Sequence, residues 1–190
     1  MGAVRMAPAS ALPVSLAEIK AYARISTSDE EALLAAMMRA ATDLCERFTG
    51  RLLIARAVEE ALPAVRTWTR LAMGPVRSIG GVAALDRGGN ATPLPSDAFA
   101  IDVDAAGDGW VRLSAPGEAK RVRVSYVAGL GEDGNAVPEA LRQGILCLAA
   151  HLHARAGNDI GDSPPAAVTA LWRPWRRLSL GGGVAACSSC

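Results

Sequence analysis

Lysine and aromatic side chains are scarce in this chain, and each scarcity excludes something. Of 20 basic residues only Lys20 and Lys120 are lysines; the rest are arginines. A lysine-rich strip, the simplest mark of a DNA-facing surface, is therefore missing. Arginine, with a planar head that makes paired contacts, suits interfaces between proteins. The formal net charge is +1, so no global field draws the chain toward nucleic acid or anionic lipid. Phe, Trp and Tyr together make up 4 % of the residues, which leaves aliphatic side chains to build any core. No apolar run approaches the roughly 20 residues that span a bilayer. The opening MGAVRMAPASALP has one arginine and no continuous apolar stretch, which makes it a poor signal peptide. It also lacks the Ser or Thr of a myristoylation start. The expectation is a protein made in a reducing cytoplasm, with no membrane partner.

The four cysteines do not form a framework either. Cys45 and Cys147 sit in helical patterns, where Cys acts as a small core residue. Cys187 and Cys190 form a C-x-x-C at the end of the sequence. A redox motif of that kind needs a helix N-terminus to lower one thiol pKa, and zinc would need two further ligands. A flexible tail is the expectation for 181–190.

What is present is core-forming. Half of the 190 residues are hydrophobic, enough for one domain with an elaboration. Three regions differ in period. Residues 15–50 read as helical: Ser15 with Glu18, and Ser28 with Glu31, form two capping-box patterns. Leu33, Leu34, Met37, Met38, Ala41, Leu44, Cys45 and Phe48 then recur at spacings of three and four, and Gly50 is placed as the stop. Met37 and Met38 read as core filler.

Residues 52–127 switch to alternation in VRTWTRLAM, VRSIGGVAALD, AFAIDV, GWVRLS and RVRVSYV, separated by turn-forming stretches. In the last of these Val122, Val124 and Tyr126 face one way and Arg121, Arg123 and Ser125 the other, as in a half-buried antiparallel strand. DRGGN at 86–90 reads as a hairpin turn. Helical patterning returns near Val137, with Pro138 suited to a first turn, Leu141, Ile145, Leu148 and Leu152 as the apolar stripe and Gly157 as the stop. A polar loop, NDIGDSPP, leads to a short helix AAVTALW.

Several motifs invite chemistry. GLGEDG, with Gly129, Gly131 and Gly134, fits G-x-G-x-x-G and follows a strand. In a dinucleotide site, however, the helix begins inside the glycine motif and meets the pyrophosphate. Here the helix begins four residues later, and Glu132 and Asp133 would repel phosphate. The glycines read instead as a flexible turn between sheet and helix. Cys147 and His151 share a helix face at i, i+4, but His153 lies about 160° round from His151. No H-E-x-x-H or paired C-x-x-C completes a metal site, so the histidines read as packing-boundary residues. There is no G-x-S-x-G. The expectation is a non-enzymatic protein with no catalytic, cofactor-binding or metal-binding residues.

One segment does look functional. LWRPWRRLSL puts Trp172, Arg173, Trp175, Arg176 and Arg177 within six positions, with Pro174 between them. Trp and Arg are the residue types most enriched at interface hot spots. A docking arm is one reading and a Trp-plugged core with solvated arginines is another. A third is nucleic-acid binding by stacking and phosphate contact, which the near-neutral charge opposes.

The order of these pieces resembles the head–tail connector, or adaptor, proteins of tailed phages and of phage-derived particles such as gene transfer agents. The resemblance spans about 14–180. It is carried by SLAEIKAYARISTSDEEALLAAMMRAATDLCERFTGRLLI, by GPVRSIGGVAALDRGG, by VRVSYVAGLG followed by VPEALRQGILCLAAHLHARAG, and by LWRPWRRLSL. It implies an α+β fold: a helical bundle, made of an N-terminal helix pair and C-terminal helices, with an inserted small antiparallel meander or barrel-like sheet. One connector domain is expected at 15–180, with helices at 15–50, the β region at 52–127, and helices with a C-terminal arm at 137–178. A flexible 1–14 would precede it. The implied role is a structural ring, typically of twelve copies, in a particle neck. Its partners would be the portal protein, a stopper or tail-completion protein, and double-stranded DNA that passes without sequence-specific binding. Trp172, Arg173, Trp175, Arg176 and Arg177 are then the candidate arm for the portal. The alternative is a small nucleic-acid-binding protein using the same segment.

Overall fold

The computed structural model describes residues 3–115, 119–155 and 165–177. Gly157, most of the NDIGDSPP loop, the glycine run and the CSSC tail lie outside them, as do the expectations made there.

The segment expected as a loose lead-in contributes strand β1 (Val4–Met6). Helix α1 (Leu16–Ala23) starts on the expected capping box: Glu18 N donates to Ser15 Oγ at 3.2 Å, and Ser15 N donates to Glu18 Oε2 at 2.7 Å. The second box does not form. Helix α2 (Glu31–Thr49) has Glu30 at its N-cap position and no side-chain cap. The Glu31 carboxylate instead takes Lys20 Nζ at 2.7 Å, which ties α2 to α1. Gly50 ends α2 in the left-handed region, as expected. Helix α3 (Glu139–Ala154) begins just after Pro138, and Leu141, Ile145 and Leu148 are buried along it. Helix α4 (Ala166–Trp172) packs on α3, and α3 packs on α1 and α2.

Between α2 and α3 lie seven strands: β2 (Arg56–Pro63), β3 (Thr69–Arg70), β4 (Val76–Leu85), β5 (Ala91–Pro93), β6 (Phe99–Val103), β7 (Gly109–Leu113) and β8 (Arg121–Ala128). All pair antiparallel, in a five-stranded sheet of order β1-β2-β8-β4-β5 and a three-stranded sheet of order β3-β7-β6. The barrel-like closure and the simple meander are corrected here. Neither sheet closes, and β8, last in sequence, is inserted between β2 and β4. The reason is its alternation: Val122, Val124 and Tyr126 are buried on one face, so β8 is worth most at the centre of a sheet. The DRGGN turn forms between β4 and β5, with Asp86 accepting from Asn90 N at 2.8 Å.

Two hydrophobic clusters result. One lies among the helices, around Ile19, Leu34, Met38, Leu141, Ile145 and Trp172. The other lies between the sheets, around Val58, Leu71, Val82, Val111, Val124 and Tyr126.

Candidate docking site

The glycine motif is a joint between these clusters. Gly129 has φ 148°, and a Cβ there would stand 2.4 Å from Ala55 Cα. Only glycine lets the two backbones approach so closely. Gly129 is therefore a fixed contact, which corrects the reading of a flexible turn. Several of the amides that a phosphate would need are already used. Gly129 N donates to Pro75 O at 2.8 Å, Leu130 N to Leu52 O at 3.0 Å, and Asn135 N to Asp133 Oδ1 at 2.9 Å.

The histidines and cysteines point to separate places. Cys147 Sγ lies 3.0 Å from Tyr22 Oη, a contact that raises the tyrosine pKa. His151 Nε2 is 2.8 Å from Arg155 Nη1, and His153 Nε2 is 3.0 Å from Glu30 Oε2. Burial pushes the Cys45 thiol up to about 12, so it stays protonated. Among the described residues no three His, Cys, Asp or Glu side chains gather as a metal site.

The Trp/Arg segment divides into residues that hold the fold and residues that face outward. Trp172 is 1 % exposed. Its indole lies against α3 at Gly144, where a Cβ would sit 2.1 Å from Nε1, and Nε1 donates to Leu141 O at 3.3 Å. Phe48 packs beside it with ring centroids 5.9 Å apart. A glycine in mid-helix costs about 1 kcal/mol against alanine, and the space it leaves is filled by the indole. Trp172 is thus withdrawn from the candidate arm: it is core.

Arg177 is also turned inward. Its main-chain N–H donates to Thr49 O at 2.7 Å, and Nη1 donates to Ala72 O at 3.2 Å. Its Nη2 pairs with Asp108, which also pairs with Arg70 at 2.5 Å. Burial, with Arg70 and Arg51 nearby, lowers the Arg177 pKa, while Asp108 opposes that shift. Asp108 itself is presented by a tight loop. Asp104 accepts from Ala106 N and Asp108 N, both at 2.9 Å, and from Trp110 Nε1 at 3.0 Å. Arg177 therefore clamps the end of α2, the residue 72 loop and the β6–β7 loop together. Arg51 holds the preceding turn by donating from Nε to Trp175 O at 3.0 Å.

What remains outward is Arg173, Pro174 and Arg176, with Trp175 half-buried. Arg176 lies over the Phe48 ring, 5.7 Å from its centroid. Gly144, Asp108 and Arg51 were not singled out from sequence. A glycine inside an otherwise apolar helix was the one visible signal among them.

Chains in solved particle necks share this fold over nearly its whole length. A chain in the neck of an empty GTA particle computed with C6 symmetry matches with a TM-score of 0.77 at 26 % identity, covering 95 % of this chain and 98 % of that one. A chain in the virion of a native gene transfer agent (GTA) particle gives 0.74 at 25 %, with the same coverage of 95 % and 98 %. A third, in the neck of a native GTA particle computed with C12 symmetry, gives 0.73 at 27 %, covering 96 % and 98 %. No protein-family model and no curated protein sequence matches the chain. Over 95–96 % of its length, the chain shares the fold of these chains from gene-transfer-agent particles and their necks.

Proposed function

We propose that this chain is a structural connector subunit of the neck of a phage-like particle, assembled as a homo-oligomeric ring and carrying no catalysis. One observation carries this reading: the near-complete two-way coverage by chains from GTA necks. The ring would dock below the portal, extend the DNA channel and seat the stopper or tail component. Near-zero net charge suits a channel wall, because each neutralised phosphate would add affinity and drag. The nucleic-acid alternative is weakened by geometry, since Trp172 is core and Arg177 is paired with Asp108.

Within the arm, Arg173 and Arg176 are the residues we assign to the portal, with Trp175 beside them. Arg173→Ala with Arg176→Ala is expected to leave the subunit folded and to lower the yield of complete particles. Normal yield would overturn the arm assignment.

A further inference from the structure

Two apolar surfaces are left uncovered by the described residues, and they lie on different lobes. The first is on α2, whose buried face carries Leu34, Met38, Ala41 and Cys45. About 100° round from it runs a second stripe, Leu33, Met37, Ala40 and Leu44, of which Met37 is half-buried against the helical core and the other three are exposed. Its spacing of four, three and four is that of a helix seam. Leu33 is 37 % and Leu44 38 % exposed. The second surface is on β6. The register pairs Ile101 with Val111 and Val103 with Gly109, so both face the same side as the buried Val111 and Leu113. Ile101 is nevertheless 44 % and Val103 42 % exposed, because β6 is the edge of its sheet. These are core-facing side chains with nothing described on top of them.

Resting on the ring reading above, we propose that the two surfaces are the halves of one subunit contact: the α2 stripe of one copy covers Ile101 and Val103 of the next. A closed ring needs a heterologous contact between two unlike faces of each subunit. The chains that share this fold stand in necks of C6 and C12 symmetry.

Leu44→Glu and Ile101→Glu, made singly, test the pairing. Both sites are exposed, so folding should survive, as circular dichroism and melting would check. Each variant alone loses one half of every contact and is expected to sediment as a monomer where the wild-type chain forms rings. A 1:1 mixture of the two variants regains one intact contact per pair, and is expected to give dimers that grow no further. Rings from either variant, or a mixture that stays monomeric, overturns the pairing and leaves the ring reading standing. Dimers from Ile101→Glu alone would mean that α2 meets α2, which also overturns it. A wild-type chain that forms no ring, either alone or in the particle neck, overturns the pairing and the ring reading together.

Discussion

In the helical lobe the largest side chain in the core is apolar and fits by shape: Trp172 lies on Gly144 and beside Phe48. In the sheet lobe the comparable position is polar. Glu60 is 4 % exposed, and its Oε2 accepts from Tyr126 Oη and Ala72 N, both at 2.9 Å. Tyr126 Oη also accepts from Met73 N at 3.3 Å, and burial raises the tyrosine pKa. One lobe is therefore sensitive to volume and the other to hydrogen-bond partners. They differ in completeness too. In the helical lobe α4 covers the core and the bare apolar side chains, Leu33 and Leu44, lie outside it on α2, whereas in the sheet lobe the edge strand β6 leaves the core-side residues Ile101 and Val103 exposed. Arg177 links the two, through Thr49 O on one side and Asp108 with Ala72 O on the other.

The largest break in that contrast comes from Trp172→Ala. It should destabilise the helical lobe by about 3–5 kcal/mol, from lost burial and the cavity left behind. Gly144→Ala drives a methyl into the same indole and should cost about 1–3 kcal/mol, because the tryptophan must shift. Denaturant unfolding checks both, and an unchanged midpoint for either would contradict the packing described. In the sheet lobe, Tyr126→Phe keeps the volume and removes the hydroxyl. A cost of about 1–3 kcal/mol is expected, since Glu60 and the Met73 amide each lose a partner. A neutral outcome would show that the lobe is governed by volume after all.

Arg177→Ala should cost less than an unpaired buried charge would, because Asp108 keeps Arg70. About 1–2 kcal/mol is expected, along with faster amide exchange at Ala72 and Asp108. The smallest effect concerns Glu18. Hydrogen bonds from Ser15 hold its carboxyl below the usual value, helped by Arg142. A depressed folded pKa stabilises above the unfolded value of roughly 4.3, and that stabilisation is lost as pH falls through the folded value. Glu18→Gln should therefore flatten the acid limb of stability against pH and leave its slope near neutrality unchanged.

Much of the fold was legible because periodicity and caps are local. The Ser15 box, the Gly50 stop, the α3 stripe and the alternation of β8 all appear as expected. Strand β2 was harder, because RAVEEALP carries Glu59 and Glu60 where an apolar pattern is sought. Val58, Glu60 and Leu62 do alternate inward, but the acidic member is paid for by Tyr126, 66 positions away. Ser28 lost its box for a similar reason, since Glu31 is drawn to Lys20. In the C-terminal segment composition drew attention to Trp172–Arg177 but carried nothing about the direction of each side chain. Whether an arginine faces a partner or its own subunit depends here on Asp108, and no local pattern joins Asp108 to Arg177.

A neck location is tested most directly by imaging particles from cells that make a labelled copy of this chain and averaging their necks. The expected result is a closed ring of label at the head–tail junction, with cyclic symmetry. Label on the capsid or along the tail, or particles whose necks form normally without the chain, would contradict it.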